Sequence, residues 1–396
     1  MTAAALQMVR TPDVGDLEAA LPVLTARFAA TAERHDRDGT FPFENFELLH
    51  EAGLLALTAP RALGGWGADL KTAVKVVQAV ARGEPATALV LTMQYLIHAS
   101  LAAGRADWPD ALKAKIVADA VSRGALVNAL RVEPELGTPA RGGLPATIAR
   151  RSGEGWRISG RKIYATGAPA LTWMAVWART DEDEPRVGAF LVHRDAPGWR
   201  IEETWDHTGL RASASHDVVF EDTPIPFEHA LSPRPPGAPP PADPVAAVWG
   251  PVLTAAIYDA VARAGRDAFV DWAAARTPAN LGAPLSSLPR FQEIVGTIDG
   301  LLLQNRLLLE AGERGALGPA DASLAKHLVT ENAISVLQSA IAASGNPGLS
   351  RHNPLQRHFR DVLCGRIHTP QGDAVLTAAG RAAFAARPPP AQGAPP

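Results

Sequence analysis

The sequence predicts a mainly α-helical fold with a central β domain, arranged along the chain as a helical unit, a β unit and a second helical unit. Three observations predict this order. Apolar residues recur at helical spacing over residues 16–123, short β-prone runs fill residues 125–226, and helical spacing returns after a proline-rich stretch. The 396 residues are enough to bury a sizeable core.

Residues 1–124 are predicted to form an N-terminal helical domain. Leu48, Leu49 and Leu55 fall on one helical face, and Ala88–Leu91 is a later apolar run. Glycine interrupts the pattern most clearly in the GGWG segment at residues 64–67, where we expect a turn. The helical pattern ends near residue 123, which sets the domain boundary.

Residues 125–231 are predicted to form a small, mainly antiparallel β domain. Its β-prone runs are short and lie between clusters of Gly, Pro, Asp and Ser, as expected for strands joined by turns. The runs are Trp156–Ile158, Lys162–Tyr164, Met174–Trp177, Val187–Val192 and Val218–Phe220.

Proline dominates residues 232–244, which are predicted to be a linker. The run SPRPPGAPPP from Ser232 cannot form a helix or a central strand, because proline lacks an amide donor and has a fixed φ. Residues 245–386 are predicted to be a C-terminal helical bundle, since Leu253, Ile257 and Val261 recur at four-residue spacing. Residues 387–396 have almost no apolar bulk and are predicted to be disordered.

The composition excludes several kinds of site and partner. A formal net charge of -3 gives no basic surface for nucleic acid or an anionic membrane. Cys364 is the only cysteine, which excludes disulfides within the chain and zinc sites built on paired cysteines, and no metal site is predicted. We expect a cytoplasmic protein without a membrane partner, because no leader pattern and no uninterrupted apolar stretch of roughly 18–20 residues is present. A small polar or thioester ligand is the expected partner.

The sequence motifs favour a cofactor held outside the common nucleotide folds. No P-loop is present, and no GxGxxG follows a predicted strand. Three other segments are informative: residues 132–139 (VEPELGTP), 160–167 (GRKIYATG) and 209–226 (GLRASASHDVVFEDTPIP). In order and spacing they resemble the TEPGAGSD, GxKxWITNG and GxRxSxxxxVxFxDVxVP segments of acyl-CoA dehydrogenases.

The resemblance to this family extends over nearly the whole chain. Residues 52–60 (AGLLALTAP) with the GGWG segment resemble the family's N-terminal signature, and residues 353–361 (NPLQRHFRD) resemble its YPxExxxRD segment. The sequence is therefore identified as a member of the acyl-CoA dehydrogenase superfamily. This implies an N-terminal helical domain, a β-barrel-like middle domain and a C-terminal four-helix bundle. It also implies a bound flavin (FAD, with FMN as the alternative), a small-molecule substrate such as an acyl-CoA, and a homodimer or homotetramer.

The resemblance assigns five candidate flavin-binding residues to the middle domain. By position, Leu130 and Val132 would lie along the flavin edge, Thr138 near a phosphate, and Tyr164 and Thr166 beside the isoalloxazine. Ordinary turn or strand threonines and a packed aromatic ring are the alternative. Val132 replaces the family's usual threonine and Tyr164 its usual tryptophan, so we expect altered flavin contacts.

Arg276 is a sixth candidate. It stands near the place of an arginine that, in the family, reaches a neighbouring subunit's flavin pyrophosphate. The segment RTPANLG at residues 276–282 is longer than the family's RxxFG, and a solvated arginine at a helix end is the alternative.

The usual catalytic base is missing from both places where the family carries it. Dehydrogenation of a thioester needs a carboxylate to remove the α-proton. One family position, the glutamate of IYEGT, aligns with Thr369, and the other aligns with Gly250 and Pro251. Three carboxylates could substitute if the alignment were shifted by a turn, although solvated acids are the commoner explanation: Asp243, Asp259 and Asp373.

Two histidines favour the branch of the superfamily that uses reduced flavin and oxygen as a monooxygenase. That branch also lacks the glutamate, and some members resemble this chain in a histidine eight residues after the conserved arginine, as His368 follows Arg360. His98 in the N-terminal unit is the second candidate. Histidine can donate a hydrogen bond and pass a proton at neutral pH, whereas packed interface histidines are the alternative explanation.

Three functions therefore remain open. The first is an acyl-CoA dehydrogenase-like oxidoreductase with a displaced base. The second is a two-component reduced-flavin monooxygenase, served by a separate flavin reductase and using His98 and His368. The third is an inactive scaffold that binds flavin or an acyl carrier.

Overall fold

The computed structural model describes residues 14–104, 108–136, 143–238 and 242–387. The chain divides into two compact units, Met1–Trp249 and Gly250–Pro396. The predicted disordered tail and Thr138 lie outside the described residues, except for Arg387.

In the described part of the first unit, five helices come first: α1 (Val14–Asp38), α2 (Phe43–Glu51), α3 (Leu70–Gly83), α4 (Pro85–Ala102) and α5 (Asp110–Arg123). Carboxylates cap two of them, as expected at helix N-termini. The Asp69 side chain accepts from the backbone N–H of Thr72 before α3, and the Glu84 side chain accepts from the N–H groups of Ala86 and Thr87 before α4. Most of α4 is buried, in agreement with its long apolar sequence.

Eight strands follow among the residues that the structure describes: β1 (Leu126–Leu130), β2 (Ile148–Ser152), β3 (Gly155–Lys162), β4 (Leu171–Thr180), β5 (Val187–His193), β6 (Trp199–Glu202), β7 (Asp217–Pro226) and β8 (Ala230–Arg234). They form one sheet in the order β6-β7-β3-β2-β4-β5-β8, with β1 paired to β4. The pairs of β4 with β1 and with β2 are parallel and the others are antiparallel, which confirms a mainly antiparallel β unit.

Helices α4 and α5 pack against this sheet. Leu112 and Ile116 of α5 share one buried core with Val127 of β1, Trp173 of β4 and Leu191 of β5. A polar link fixes α4 to the start of β1, because the buried Gln94 side chain donates to the carbonyl of Ala125 and accepts from the N–H of Val127. The position of β1 is thus set by both packing and hydrogen bonds.

The proline-rich stretch begins within the sheet, which differs from the predicted linker. Ser232, Pro233 and Arg234 belong to β8, an edge strand beside β5. An edge strand can contain proline because one side of it needs no amide donors. Ser232 has φ 41°, and the pairing register shifts between Val187 and Ala189 opposite it.

The second unit is helical. Its elements are α6 (Pro244–Ala275), whose first turns belong to the first unit, then α7 (Pro289–Glu313), α8 (Pro319–Ser344), the short α9 (Asn346–Leu349), α10 (Pro354–Leu363) and α11 (Gly372–Ala385). Leu253, Ile257 and Val261 are fully buried on α6, as their spacing predicts. Within the described ranges, α6 alone is long and apolar enough to cross a bilayer by length and composition, but 67% of its most apolar window is buried in the protein, as in a core helix.

Candidate active site

The first two predicted flavin-edge residues lie at the end of β1. Leu130 is its last residue and is 2% exposed, and Val132 follows it, partly buried. The Val132 carbonyl accepts a hydrogen bond of 3.0 Å from the backbone N–H of Ile163. This hydrogen bond joins the segment after β1 to the segment after β3, and we call the place where they meet the junction. It brings Leu130 and Val132 into the same region as Tyr164 and Thr166.

Three side-chain hydroxyls meet beside this junction, and we call Thr166, Ser213 and Ser215 the hydroxyl cluster. The Ser215 hydroxyl donates to Thr166 Oγ1 over 3.2 Å and lies 2.8 Å from Ser213 Oγ. Asn128 of β1 donates to the carbonyl of Thr166 over 3.0 Å. Gly167 has φ 78°, and a Cβ there would stand 3.0 Å from Val90, so glycine allows α4 to approach closely. The hydroxyl cluster is therefore a polar site on a turn that packs against α4.

Tyr164 lies next to the hydroxyl cluster and is half exposed. Its backbone is in the left-handed region at φ 57°, which ends the run of β structure at Lys162 although residues 162–164 were predicted as β-prone. The phenol ring makes edge contacts with the rings of Trp205 and His207, and these two stack 3.6 Å apart. An exposed aromatic group therefore borders the cluster.

A buried ion pair stabilises the same junction. Lys162 Nζ lies 2.6 Å from Glu133 Oε1, and the two side chains are 0% and 2% exposed. Glu133 also accepts from the N–H and hydroxyl of Thr147 and from the N–H of Ala146. Burial opposes ionisation of Glu133, but the hydrogen bonds from Lys162, Thr147 and Ala146, together with the charge of Lys162, outweigh it and lower the pKa of the carboxyl. For Lys162, burial lowers the pKa to about 8 despite the opposing effect of Glu133.

His98 is fully buried on α4. Neither ring nitrogen has a hydrogen-bond partner among the residues that the structure describes, and burial lowers the pKa of this imidazole to about 4. Val90, which contacts Gly167, precedes His98 by eight residues, or about 12 Å along the helix. No hydrogen bond among the described side chains joins His98 to the hydroxyl cluster.

His368 lies in the second unit, in the segment between α10 and α11. Its Nδ1 is 2.6 Å from the hydroxyl of Tyr258, a fully buried residue of α6. Burial, with a smaller effect from the charge of Lys326, lowers the pKa of His368 to about 4. Burial also raises the pKa of the Tyr258 phenol well above its usual value. Both groups are therefore neutral at pH 7.

Lys326 of α8 anchors the segment that carries His368. Its ammonium group donates to the carbonyl oxygens of Gly365, His368 and Pro370 over 2.7, 2.6 and 3.0 Å. The lysine is 1% exposed, and burial lowers its pKa to about 8. Gly365 is required for this packing, since a Cβ there would stand 2.9 Å from the Tyr258 ring.

The two family base positions hold no carboxylate. Thr369 is exposed and directly follows His368, and Gly250 and Pro251 lie within α6. Of the substitutes considered, Asp243 accepts from the Ser100 hydroxyl and from the Ala246 N–H at the start of α6.

The remaining substitutes are also engaged. Asp259 is fully buried and paired with Arg263 at 2.7 Å. Asp373 stands in the first turn of α11, where an acid stabilises the helix, and it has an interaction partner of its own. The predicted alternative of a displaced aspartate base therefore gains no support.

Arg276 is the residue after the last turn of α6. Its N–H continues the helix to the Trp272 carbonyl, and its side chain is exposed without a hydrogen bond or ion pair in the described part of the chain. This exposure is compatible with both alternatives for Arg276, the pyrophosphate contact and the solvated helix end.

Motif alignment missed four residues that the structure brings to these sites. Ser213 and Ser215 lie inside residues 209–226, where two serines near an aligned threonine were the available signal. Tyr258 and Lys326 belong to no motif, and periodicity marks their helices only as buried.

The comparisons with known proteins support a single family. The family models for the N-terminal, middle and C-terminal domains of acyl-CoA dehydrogenases match residues 18–120, 131–223 and 254–371. The putative acyl-CoA dehydrogenase YdbM of Bacillus subtilis is 35% identical, over 90% of this chain and 93% of its own length. The L-evernosamine nitrososynthase of a Micromonospora species is 31% identical, over 90% of this chain and 87% of its own length.

The solved structures agree with this result. KijD3, in a complex with FMN and a dTDP-linked amino-keto sugar, is 28% identical and has a TM-score of 0.81, over 97% of this chain and 98% of its own length. Butyryl-CoA dehydrogenase of Megasphaera elsdenii has the same TM-score at 22% identity and shares the fold. The chain therefore belongs to the acyl-CoA dehydrogenase family and is a flavin-dependent oxidoreductase.

Proposed function

We propose that this protein is a reduced-flavin monooxygenase that oxidises a small polar molecule. The observation that carries the proposal is the replacement of the family's carboxylate by the His368 site. Thr369 occupies the glutamate position, and the imidazole beside it is fixed by Tyr258. A neutral imidazole can donate a hydrogen bond, but it does not supply the carboxylate that removes the α-proton in this family.

The residues of the first unit fit a flavin. Thr166 and Ser215 offer hydroxyl groups at the edge of a half-exposed aromatic surface, which is the donor set that a flavin ring requires near its polar edge. Leu130 and Val132 would border the ring, and Arg276 would reach the phosphate of a flavin bound to a neighbouring subunit. We propose FMN, in view of the likeness to KijD3 in its FMN complex, whereas FAD is the cofactor expected for a dehydrogenase.

When bound, a reduced flavin supplies the two electrons with which O2 is split, so that one oxygen atom enters the substrate and the other leaves as water. The chain supplies protons and shields the site from water. We assign His368 the role of hydrogen-bond donor to the reacting oxygen. His98, buried and without a partner among the described residues, is the second candidate group for substrate.

The substrate class that we propose is an amine carried on a sugar. The support is the likeness to two proteins that are each 31% identical to this chain, the L-evernosamine nitrososynthase of Micromonospora and the amino sugar nitrososynthase RubN8 of Streptomyces rubradiris. An amine nitrogen is itself the nucleophile in such an oxidation, so no base is needed to remove a proton from carbon. This agrees with the absence of a carboxylate from Thr369, Gly250 and Pro251.

The test is oxygenation by the purified protein with FMN, a flavin reductase, NADH and O2. The substrates would be a panel of nucleotide-linked amino sugars, with the matching hydroxy sugars as controls. We expect a product heavier by one or more oxygen atoms for an amino sugar, with 18O from 18O2, and a loss of that product in His368→Ala. The proposal fails if no panel member gains 18O while an acyl-CoA reduces the bound flavin.

A second candidate is acyl-CoA dehydrogenation, favoured by the 35% identity to YdbM. It predicts that a thioester bleaches the visible spectrum of the oxidised flavoprotein without oxygen. Acyl-CoA thioesters of increasing chain length would be added anaerobically. Because Thr369 is not a base, bleaching would mean that another residue removes the α-proton. It would favour this candidate over the monooxygenase.

We further propose a cytoplasmic homotetramer that receives reduced flavin from a separate reductase. The support for assembly is the set of large apolar side chains exposed on the second unit, including Leu303, Leu307 and Leu328. Light scattering coupled to size exclusion would give the mass. A monomer at micromolar concentration would contradict the tetramer.

A further inference from the structure

The tautomer of His368 follows from its contact with Tyr258. The Tyr258 hydroxyl has one acceptor among the described residues, Nδ1 of His368 at 2.6 Å. Burial raises the pKa of the phenol, so Tyr258 keeps its proton, and that proton must point to Nδ1. A neutral imidazole that accepts at Nδ1 carries its own proton at Nε2. The nitrogen left for substrate is therefore a donor.

The backbone around His368 is fixed independently by Lys326. Three carbonyl oxygens, from Gly365, His368 and Pro370, surround its ammonium group and use all three of its protons. These three hydrogen bonds fix the backbone of the turn between α10 and α11, and we call them the clamp. The charge of the ammonium group also disfavours a second cation on the His368 ring.

Among the described residues, Tyr258 of α6 and Lys326 of α8 interact with this imidazole directly. Other titratable groups act on these two partners: Asp361 and Cys364 on Tyr258, and Glu331 on Lys326. Glu331 and Arg366 pair with one another at 2.6 Å. Lys326 is thus the charge that acts on the ring.

We propose that Tyr258 and Lys326 are positioning residues that hold His368 as the neutral Nε2–H tautomer, so that it acts as a hydrogen-bond donor and not as a base. The catalytic use of this donor rests on the monooxygenase function proposed above. The tautomer itself does not, because it depends only on contacts within the second unit. Removing the partners that orient a metal-bound histidine typically changes activity by about 10- to 100-fold, and we expect an effect of that order for His368.

The decisive measurement is long-range 1H–15N NMR of the full-length protein, deuterated and labelled with 15N-histidine, because the two ring nitrogens report the tautomer without any substrate. His368→Gln identifies the His368 signals. We expect the wild-type ring to keep its proton on Nε2 from pH 5 to 8. A wild-type ring with its proton on Nδ1, or one that titrates near 6.5, would overturn the proposal.

Tyr258→Phe removes the hydroxyl with little change in shape, and Tyr95→Phe is its matched control. Tyr95 is equally buried, and its hydroxyl donates to the Leu54 carbonyl in the first unit. We expect the Tyr258→Phe signals to shift toward an average of both tautomers, with the Tyr95→Phe signals unchanged. Equal spectra in the two variants would show that Tyr258 does not select the tautomer.

Lys326→Met should raise the pKa of His368, although burial should still hold it below 6.5, whereas Lys326→Arg, which keeps the charge, should leave it low. If Lys326→Met does not fold, the Arg variant still tests the clamp, since a guanidinium cannot reproduce the three contacts and should broaden the His368 signals. An unchanged pKa in a folded Met variant would remove Lys326 from the proposal.

Activity measurements then test the proposed function of His368 and the positioning role of Tyr258 separately. With reduced FMN, O2 and the amino sugar panel, Tyr258→Phe should lower kcat about 10- to 100-fold without changing KM. If His368→Ala retains full activity, the proposed function of His368 is wrong, whatever the spectra show. If His368→Ala is inactive but Tyr258→Phe has wild-type kcat, the positioning role is wrong and the proposed function stands.

Discussion

The substitution Lys162→Met should be costly because it isolates a buried carboxylate. Lys162 and Glu133 form a pair at 2.6 Å with both side chains out of contact with water. Methionine has similar length but no charge, so it leaves Glu133 with its remaining donors, the N–H groups of Ala146 and Thr147 and the Thr147 hydroxyl. Neutral donors do not replace a lost ammonium ion in a dry site.

The expected loss is about 3–5 kcal/mol in the free energy of unfolding, the usual cost of breaking one side of a buried pair. Domains are commonly stable by about 5–15 kcal/mol, so this is a large share of the total. The double variant Glu133→Gln, Lys162→Met removes the isolated charge as well. It should therefore be more stable than Lys162→Met alone, although it lacks both members of the pair.

Urea unfolding of the three proteins, followed by tryptophan fluorescence, measures these differences. Surface Lys75→Met is the control, since its partner Glu18 is exposed and such a pair contributes little. A loss below about 1 kcal/mol for Lys162→Met, or a double variant less stable than the single one, would refute the reasoning. Flavin affinity should fall with Lys162→Met, because the pair supports the junction that carries Val132 and Thr166.

Three further outcomes are expected. His98→Leu should raise the free energy of unfolding by about 1 kcal/mol, because it removes buried nitrogens without partners among the described residues. The same variant should lower the rate of oxygenation. An unchanged rate would mean that His98 has only a packing role. The pKa values of His98 and His368 are lowered to about 4 and that of His358 to about 3, so the unfolded chain binds more protons below pH 6.5 and stability falls as pH drops; urea midpoints at pH 5 and 7 should reflect a slope of up to about 4 kcal/mol per pH unit for the three together, and about two thirds of that in His98→Leu. Gly365→Ala should cost about 1–3 kcal/mol and displace Tyr258, since the new methyl group would lie 2.7 Å from Thr330; wild-type thermal unfolding would show that the turn adjusts.

The order of helical and β units was predictable because it depends on local periodicity. Leu253, Ile257 and Val261 are buried as their spacing predicts, and Trp156–Ile158 lies in β3. The run Lys162–Tyr164 was predicted less well. Its composition favours a strand, but Tyr164 takes a left-handed backbone conformation where the chain turns toward Thr166, and propensity carries no information on such a turn.

The candidate sites were predictable only where residues lie in motifs. His368 was selected as a candidate because it stands at a fixed distance from Arg360, and its role remains a prediction. Its partners could not be found in this way, since Tyr258 lies 110 residues away and Lys326 lies 42 residues away. Contacts of that length are set by helix packing, and a buried lysine or tyrosine resembles any other interior position until the fold is known.

The two margins of the sheet bear on how this protein behaves when it is stressed. Pro233 and the irregular Ser232 lie in β8 at one margin, and Arg200, paired with Glu202 and Glu221, lies in β6 at the other. Charge and proline are both poor templates for a further strand. We therefore expect heated protein to aggregate through its apolar helices into an amorphous precipitate. This precipitate should not increase thioflavin T fluorescence and should not seed fibrils.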